Sequence, residues 1–492
     1  MPALKRLHAA LAWVDGRWPR DVLLTVDASG HWAEITVNLP APPDAEILAG
    51  PLIPSLVNAH SHAFQRAFVG LSERIDDPRT CRDAAGPPRG VNPLGSGPSR
   101  ICDAGHDDFW SWRDRMYALA LRISPQQLYA VASQLYAEML RGGYTQVCEF
   151  HYLHHAAHGE HGGQPFDDEL AMAWALAEAA QDIGIGLTLL PVVYTRSGFA
   201  AHGLRPEQHR FAADADWVWR ACQRITAAGL PRVNAGVALH SLRGASPADI
   251  ARLHGLVGGA DLPIHIHVAE QAAEVADCLA ATGRRPLQWL ADTGHLDPRW
   301  QLVHATHADG TEIEAVALSG AGIVLCPGTE ANLGDGLPDL PGWLAQRVPL
   351  AVGSDSQVTR GWVEELRWLE YGQRLMLRQR NVAAAPGSQP SSAARLFDAA
   401  VAGGARAAGF TAWGLTAGAR ADALVLNREA DALRGLPDEA LLDAVVFGSN
   451  GSPWQSVWVA GRARPWRAPQ RVGDAFEAAM RDLWVGGVAT TD

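Results

Sequence analysis

The chain has 492 residues, of which 48% are hydrophobic and 19% charged, and its formal net charge is −12. This is ordinary globular composition, with apolar material for one large domain plus a smaller one, or for two to three modest ones. The acidic balance argues against non-specific nucleic-acid binding, which needs a basic surface, and no apolar run reaches the roughly 18 to 20 residues of a membrane span.

At the N-terminus, MPALKRLHAALAWVDGRW carries a short apolar run broken by His8, Asp15 and Arg17, with no clean processing site after it. A signal peptide is not expected. The cysteines Cys81, Cys102, Cys148, Cys222, Cys278 and Cys326 form no CxxC pair and no dense framework. A reduced, cytoplasmic protein follows as the expectation. Lys5 is the only lysine in the chain.

Residues 7 to 50 read as short strands separated by turns, such as Val22–Val26 followed by Asp27-Ala28-Ser29-Gly30. Beyond residue 50 the pattern changes to short apolar runs alternating with amphipathic helices, the signature of βα units. The runs are Pro51–Val57, Thr145–Phe150, Gly186–Val193, Val233–Leu239, Leu262–Val268, Gln301–Ala305, Gly322–Cys326 and Pro349–Gly353. One intervening helix is well signed. Ser124-Pro125-Gln126-Gln127 offers an N-cap, a proline at the first helical position and a capping-box glutamine. Leu128, Val131, Ala132, Leu135 and Met139 then repeat at helical spacing, and Gly142-Gly143 ends the helix.

Eight such units predict an α/β fold of the (β/α)8 TIM-barrel type, with an open doubly wound sheet as the alternative. Residues 75 to 105 are rich in Gly, Pro and Ser and read as a long loop, either a lid or a surface insertion. Near the C-terminus, Ala423–Leu426 and Val457–Gly461 read again as strands. The expected organisation is a small β-sandwich from 1–50 and 415–470, a barrel over 51–414, and a tail or helix over 471–492.

The chemistry concentrates at the C-terminal ends of the predicted strands, where barrel enzymes place catalytic groups. His60-Ser61-His62 follows the first run, and residues two apart on an extended chain point the same way. His267 ends the fifth, with Glu270 three residues on; His304 ends the sixth; Asp355 follows the eighth. Three histidines and one aspartate suit Zn2+, with a water completing the shell that becomes hydroxide near neutral pH. Glu270 and His304 are then available for proton transfer and for polarising an electrophile.

His265 is an alternative ligand to His267, which is preferred because Glu270 then stands at H-x-x-E spacing. The histidines His154, His155, His158 and His161 read as a polar surface loop, with metal binding as the alternative. Lys5 lies outside the barrel, so neither a lysine bridging two metals nor a Schiff base can be built. One metal per chain is expected.

The segments NAHSHAFQRAFVGL, FWSWRDRMY, EFHYLHH, ALHSLR, HVAEQ, LVHATH, CPGTEANLGDG and GSDSQV carry a narrower signal. Over about residues 50 to 410 they resemble the N-formimino-L-glutamate deiminase family, in the mononuclear deaminase branch of the amidohydrolase superfamily. The resemblance implies a barrel with a small β-sandwich from both chain ends. It implies metal ligands at His60, His62, His267 and Asp355, and acid–base residues at Glu270 and His304. It implies substrate contacts at Gln65, Arg113, Tyr152, His240 and Arg243.

The implied activity is zinc-dependent hydrolysis of N-formimino-L-glutamate to N-formyl-L-glutamate and ammonia, in histidine degradation. Asp355 takes the proton of the attacking water in that scheme. Two carboxylates on the substrate suit the guanidinium forks of Arg113 and Arg243, although either arginine alone also fits a surface ion pair. The expected partner is this small dicarboxylate, with a homodimer left open and with no nucleic acid or membrane. The alternatives are a deaminase of a purine, pyrimidine or triazine ring, and a catalytically inert scaffold.

Overall fold

In the computed structural model, residues 4–73, 109–156, 165–465 and 468–484 are described. The 75–105 segment, Cys81, Cys102, His158 and His161 therefore lie outside the described residues. Among the described residues, no helix is long and apolar enough to cross a membrane.

The core is a parallel barrel of eight strands, here β1 (Leu56–Ser61), β2 (Tyr144–His151), β3 (Gly186–Val193), β4 (Val237–Ser241), β5 (Ile264–Val268), β6 (Trp300–His304), β7 (Gly322–Leu325) and β8 (Leu350–Val352). Each pairs with its sequence neighbour from β1 through β8. The circuit closes where Ser61 and Asp355 form a parallel bridge. Almost every residue of these strands is buried, as expected where one face meets the barrel interior and the other a ring of helices.

The helices follow their local signals. Pro125–Arg141 starts at Ser124, whose side chain accepts from the Gln127 amide while Gln127 caps the Ser124 amide in return, and it stops at Gly142. The last described helix is Gln470–Trp484.

Two strand expectations need correction. The run Pro51–Val57 is not one barrel strand. Leu52–Pro54 pairs antiparallel with Ala423–Leu426, whereas Leu56–Ser61 pairs with β2. The chain changes sheet at Ser55, whose carbonyl accepts from the Trp413 indole at 2.9 Å. Periodicity cannot locate that change, because Leu52–Pro54 and Leu56-Val57 are both apolar and both strands are fully buried. The run Val233–Leu239 is interrupted at Gly236, where a Cβ would stand 2.6 Å from the Pro263 carbonyl oxygen. Val233–Ala235 pairs only with β3, and β4 begins after the break.

Both chain ends build a small sandwich. One sheet holds Lys5–Leu11, Arg20–Val26, Trp32–Thr36 and Glu46–Ile47; the other holds Arg462–Arg464, Trp454–Val459, Ala423–Leu426 and Leu52–Pro54. Leu7, Val22, Leu24 and Trp32 pack on Leu52, Val425 and Trp458 to form its core.

Candidate metal and substrate site

The rim at the C-terminal ends of the strands carries the polar cluster. His60 and His62, at the end of β1, bring their Nε2 atoms to 3.2 Å of each other. His267, on β5, places its Nε2 2.9 Å from that of His60. Asp355 Oδ1 lies 3.4 Å from His60 Nε2 and 3.2 Å from His62 Nε2.

The opposite ring nitrogens explain the tautomers. His62 Nδ1 lies 2.9 Å from the Phe150 carbonyl and His267 Nδ1 2.9 Å from the His240 carbonyl. A carbonyl only accepts, so both Nδ1 atoms carry hydrogen and both Nε2 atoms present lone pairs. With His60 Nε2 and the Asp355 carboxylate, these atoms lie within 4.8 Å of one another in a buried group that could hold a metal ion. Burial pushes His60 down to about 3 and His267 well below the usual range. Burial alone would raise the Asp355 carboxyl, but His60 and His62 beside it hold it well below the usual carboxylate range.

His265 does not join this set. It sits one layer deeper in the barrel, where its Nε2 meets the Ala407 carbonyl at 2.8 Å.

His304 stands beside the four-donor set. Its Nε2 is 3.6 Å from Glu270 Oε1 and 3.8 Å from Asp355 Oδ2, and its Nδ1 is 3.5 Å from Glu330 Oε1. Burial pushes this imidazole down, but the charge of Glu270 and the contact with Glu330 outweigh it and raise His304 to about 10. These carboxylates favour the protonated ring. His304 (φ 70°) and Asp355 (φ 45°) both hold left-handed backbone, unfavourable for side-chain-bearing residues and characteristic of functional strand ends.

The expected substrate residues gather on one wall. Gln65 Nε2 lies 3.4 Å from the Tyr152 hydroxyl, and the Tyr152 ring is 5.1 Å from His62 and 5.9 Å from His240. Gln65 Oε1 is buried with no hydrogen-bond partner among the described residues. His240 is held well below the usual histidine range by burial, and then by the positive charges of Arg243 and Arg113. Both guanidiniums therefore stand close enough to this wall to act on it.

Several residues here escaped the sequence reading. Glu330 lay inside the CPGTEANLGDG motif without an assigned role. Glu149 accepts from Ser61 Oγ at 2.9 Å and from the Ala63 amide, and burial raises it to about 7. Asn58 and Ser354 exchange hydrogen bonds at 2.6 and 3.0 Å, tying β1 to the segment after β8. The motifs NAHSH and GSDSQ contained these two residues, but a pairing 296 positions apart has no local signal. His154 and His155, expected on a polar surface loop, are instead buried and half-buried, with Nε2 atoms 3.1 Å from the Val192 carbonyl and 2.6 Å from that of Ala212.

A parallel barrel whose mouth joins three histidines and an aspartate to a His–Glu pair is the architecture of a metal-dependent barrel hydrolase. The profile of the Amidohydrolase family matches residues 52–464. The chain is 42% identical to formimidoylglutamate deiminase of Pseudomonas aeruginosa, over 93% of this chain and 94% of that one. It is 25% identical to 5-methylthioadenosine/S-adenosylhomocysteine deaminase of Natronomonas pharaonis, over 83% and 80% of the two chains. The crystal structure of an amidohydrolase from Brucella melitensis superposes with a TM-score of 0.85 at 38% identity, covering 97% of this chain and 99% of that one. The chain belongs to the amidohydrolase family.

Proposed function

We propose that this chain is a zinc-dependent deiminase that hydrolyses N-formimino-L-glutamate to N-formyl-L-glutamate and ammonia. The observation that carries the reading is the meeting, in one barrel mouth, of a four-donor metal set, the Glu270–His304 pair and two guanidinium charges. The 42% identity to formimidoylglutamate deiminase supports it. Three imidazoles and one carboxylate are a donor set that zinc favours, and His60, His62, His267 and Asp355 would hold one ion. When bound, zinc supplies Lewis acidity that activates water at neutral pH.

The remaining work falls to side chains. Asp355 accepts a proton from the attacking water. Glu270, 3.6 Å from His304, takes that proton over and hands it to the departing nitrogen, and the hydroxyl proton of the collapsing intermediate completes the ammonia that leaves. His304, whose protonated form Glu270 and Glu330 favour, donates toward the negative charge that builds on the heteroatoms of the tetrahedral intermediate. Arg113 and Arg243 bind the two carboxylates, and Gln65, Tyr152 and His240 supply the neutral hydrogen bonds.

A purine or triazine ring would call for amide and aromatic contacts in place of two guanidiniums, and an inert scaffold would have no use for the convergent donors. Ammonia release by zinc-loaded protein is the test. N-formimino-L-glutamate should be turned over in preference to adenosine, cytosine and triazine substrates. Ammonia from a ring substrate only would overturn the assignment.

A further inference from the structure

Behind His240 lies a buried polar cluster that neither the metal set nor the acid–base pair uses. It consists of Tyr117 on the helix Phe109–Ala120, Tyr194 just after β3, and Gln208 on the short helix Pro206–Phe211. Each is less than a tenth exposed. The Gln208 amide is oriented by its Oε1, which accepts from the Arg205 backbone at 3.1 Å. Its Nε2 end therefore faces the two phenols, donating to the Tyr194 hydroxyl at 3.1 Å and to the Tyr117 hydroxyl at 3.4 Å.

Each phenolic oxygen thus accepts and keeps its own hydrogen to donate. The two hydroxyls also interact with each other, which takes up one of those hydrogens. No acceptor for the other is found among the described residues. The surroundings are cationic, since Arg113 and Arg243 both act on Tyr194, and the Arg113 guanidinium lies 5.5 Å from the Tyr117 ring centre. A buried donor beside two positive charges matches an anionic acceptor such as a carboxylate.

We propose that Tyr117 and Tyr194, held by Gln208, are specificity-determining residues that donate a hydrogen bond to the substrate's distal, side-chain carboxylate. The inference rests on the reading of N-formimino-L-glutamate as substrate. Its distal assignment follows from layering. The His240 ring is 5.4 Å from that of His267 and 4.3 Å from that of Tyr194, so the phenols stand one side chain further from the metal ligands than His240. The substrate reacts at its formimino carbon, its α-carboxylate lies next to the attached nitrogen, and its side-chain carboxylate lies two methylenes further away. The outer donors therefore meet the outer carboxylate.

The test compares zinc-loaded wild type with Tyr117→Phe, Tyr194→Phe and the double variant. Substrates are N-formimino-L-glutamate and N-formimino-L-glutamine, which replaces the distal charge with a neutral amide. Removal of both hydroxyls should lower the acid-over-amide preference in kcat/KM by roughly 10- to 100-fold, mostly through KM for the acid. Melting temperature reports folding, and each variant keeps its aromatic ring. An unchanged preference in an active, folded double variant overturns the inference alone, as does an equal loss on both substrates. A wild type inactive on N-formimino-L-glutamate overturns the functional reading and the inference with it.

Discussion

The backbone amide of Asp355 donates to the carbonyl oxygen of His60 across 3.0 Å. Asp355 follows β8 and His60 lies on β1, so the bond that closes the barrel also delivers the carboxylate to the histidines. Barrel closure and assembly of the donor set are one geometric event. Chelation should abolish ammonia release and lower the melting temperature while leaving the helical circular dichroism in place. Zinc should restore both, because binding to the native state alone adds stability by mass action. Metal analysis should give one zinc per chain; a reproducible two would contradict the inference from Lys5.

After Glu270, Glu330 is the next group that raises His304, its Oε1 standing 3.5 Å from the ring Nδ1. Glu330→Gln keeps the shape of the side chain and removes one of the negative groups that raise this imidazole to about 10. Loss of a negative partner favours the neutral ring, so the alkaline limb of the rate profile should move to lower pH. The rate at neutral pH should fall by roughly 10- to 100-fold if the cationic form donates in the transition state. An unshifted alkaline limb in a folded, metal-loaded variant would remove Glu330 from this role.

Arg243 separates a dicarboxylate from a ring substrate. Arg243→Met keeps much of the apolar stem and deletes the charge. Truncating one partner of a buried charged pair costs about 2 to 5 kcal/mol, so kcat/KM on N-formimino-L-glutamate should fall roughly 30- to 4000-fold. Arg243→Lys should recover only part of this, because a point charge lacks the fork. Zinc content should be unchanged. Near-normal kinetics for Arg243→Met would move weight to the ring-deaminase reading.

Arg420 bolts the small sandwich to the barrel. Its guanidinium contacts Asp422 at 2.6 and 3.0 Å, Gln146 Oε1 at 2.8 Å and the Thr145 carbonyl at 3.0 Å, all buried. Breaking a buried pair leaves an uncompensated charge, so Arg420→Met should cost about 3 to 5 kcal/mol in urea unfolding. Asp422→Asn should cost less, because the amide still accepts from the Ala460 backbone, now 2.8 Å from Oδ1. Equal stability of all three proteins would show that the pair contributes nothing net.

The βα rhythm was legible because each barrel strand is buried on both faces and each helix on one, so composition tracks burial directly. The capped helix Pro125–Arg141 was legible down to its first and last turns, since the signals at each end are local: Ser124 to Gln127 at the start, Gly142 at the stop. The split at Ser55 was not, because Leu52–Pro54 and the Leu56-Val57 start of the next strand have the same apolar character and differ in their partners. His154 and His155 misled for a related reason. Their sequence surroundings are polar, but the Val192 and Ala212 carbonyls that receive them come from distant segments.

The sequence by itself determined which chemistry is available: three histidines and an aspartate at strand ends, one glutamate three residues on, and no lysine in the barrel. These depend on residue type and local period, which the linear order carries. Only the tertiary structure decided which groups meet. It chose His267 over His265 by depth in the barrel, brought Glu330 to His304, and assembled Tyr117, Tyr194 and Gln208 from three separate segments. Such pairings are set by barrel closure and by the packing of loops around its mouth, and closure is a property of all eight strands together.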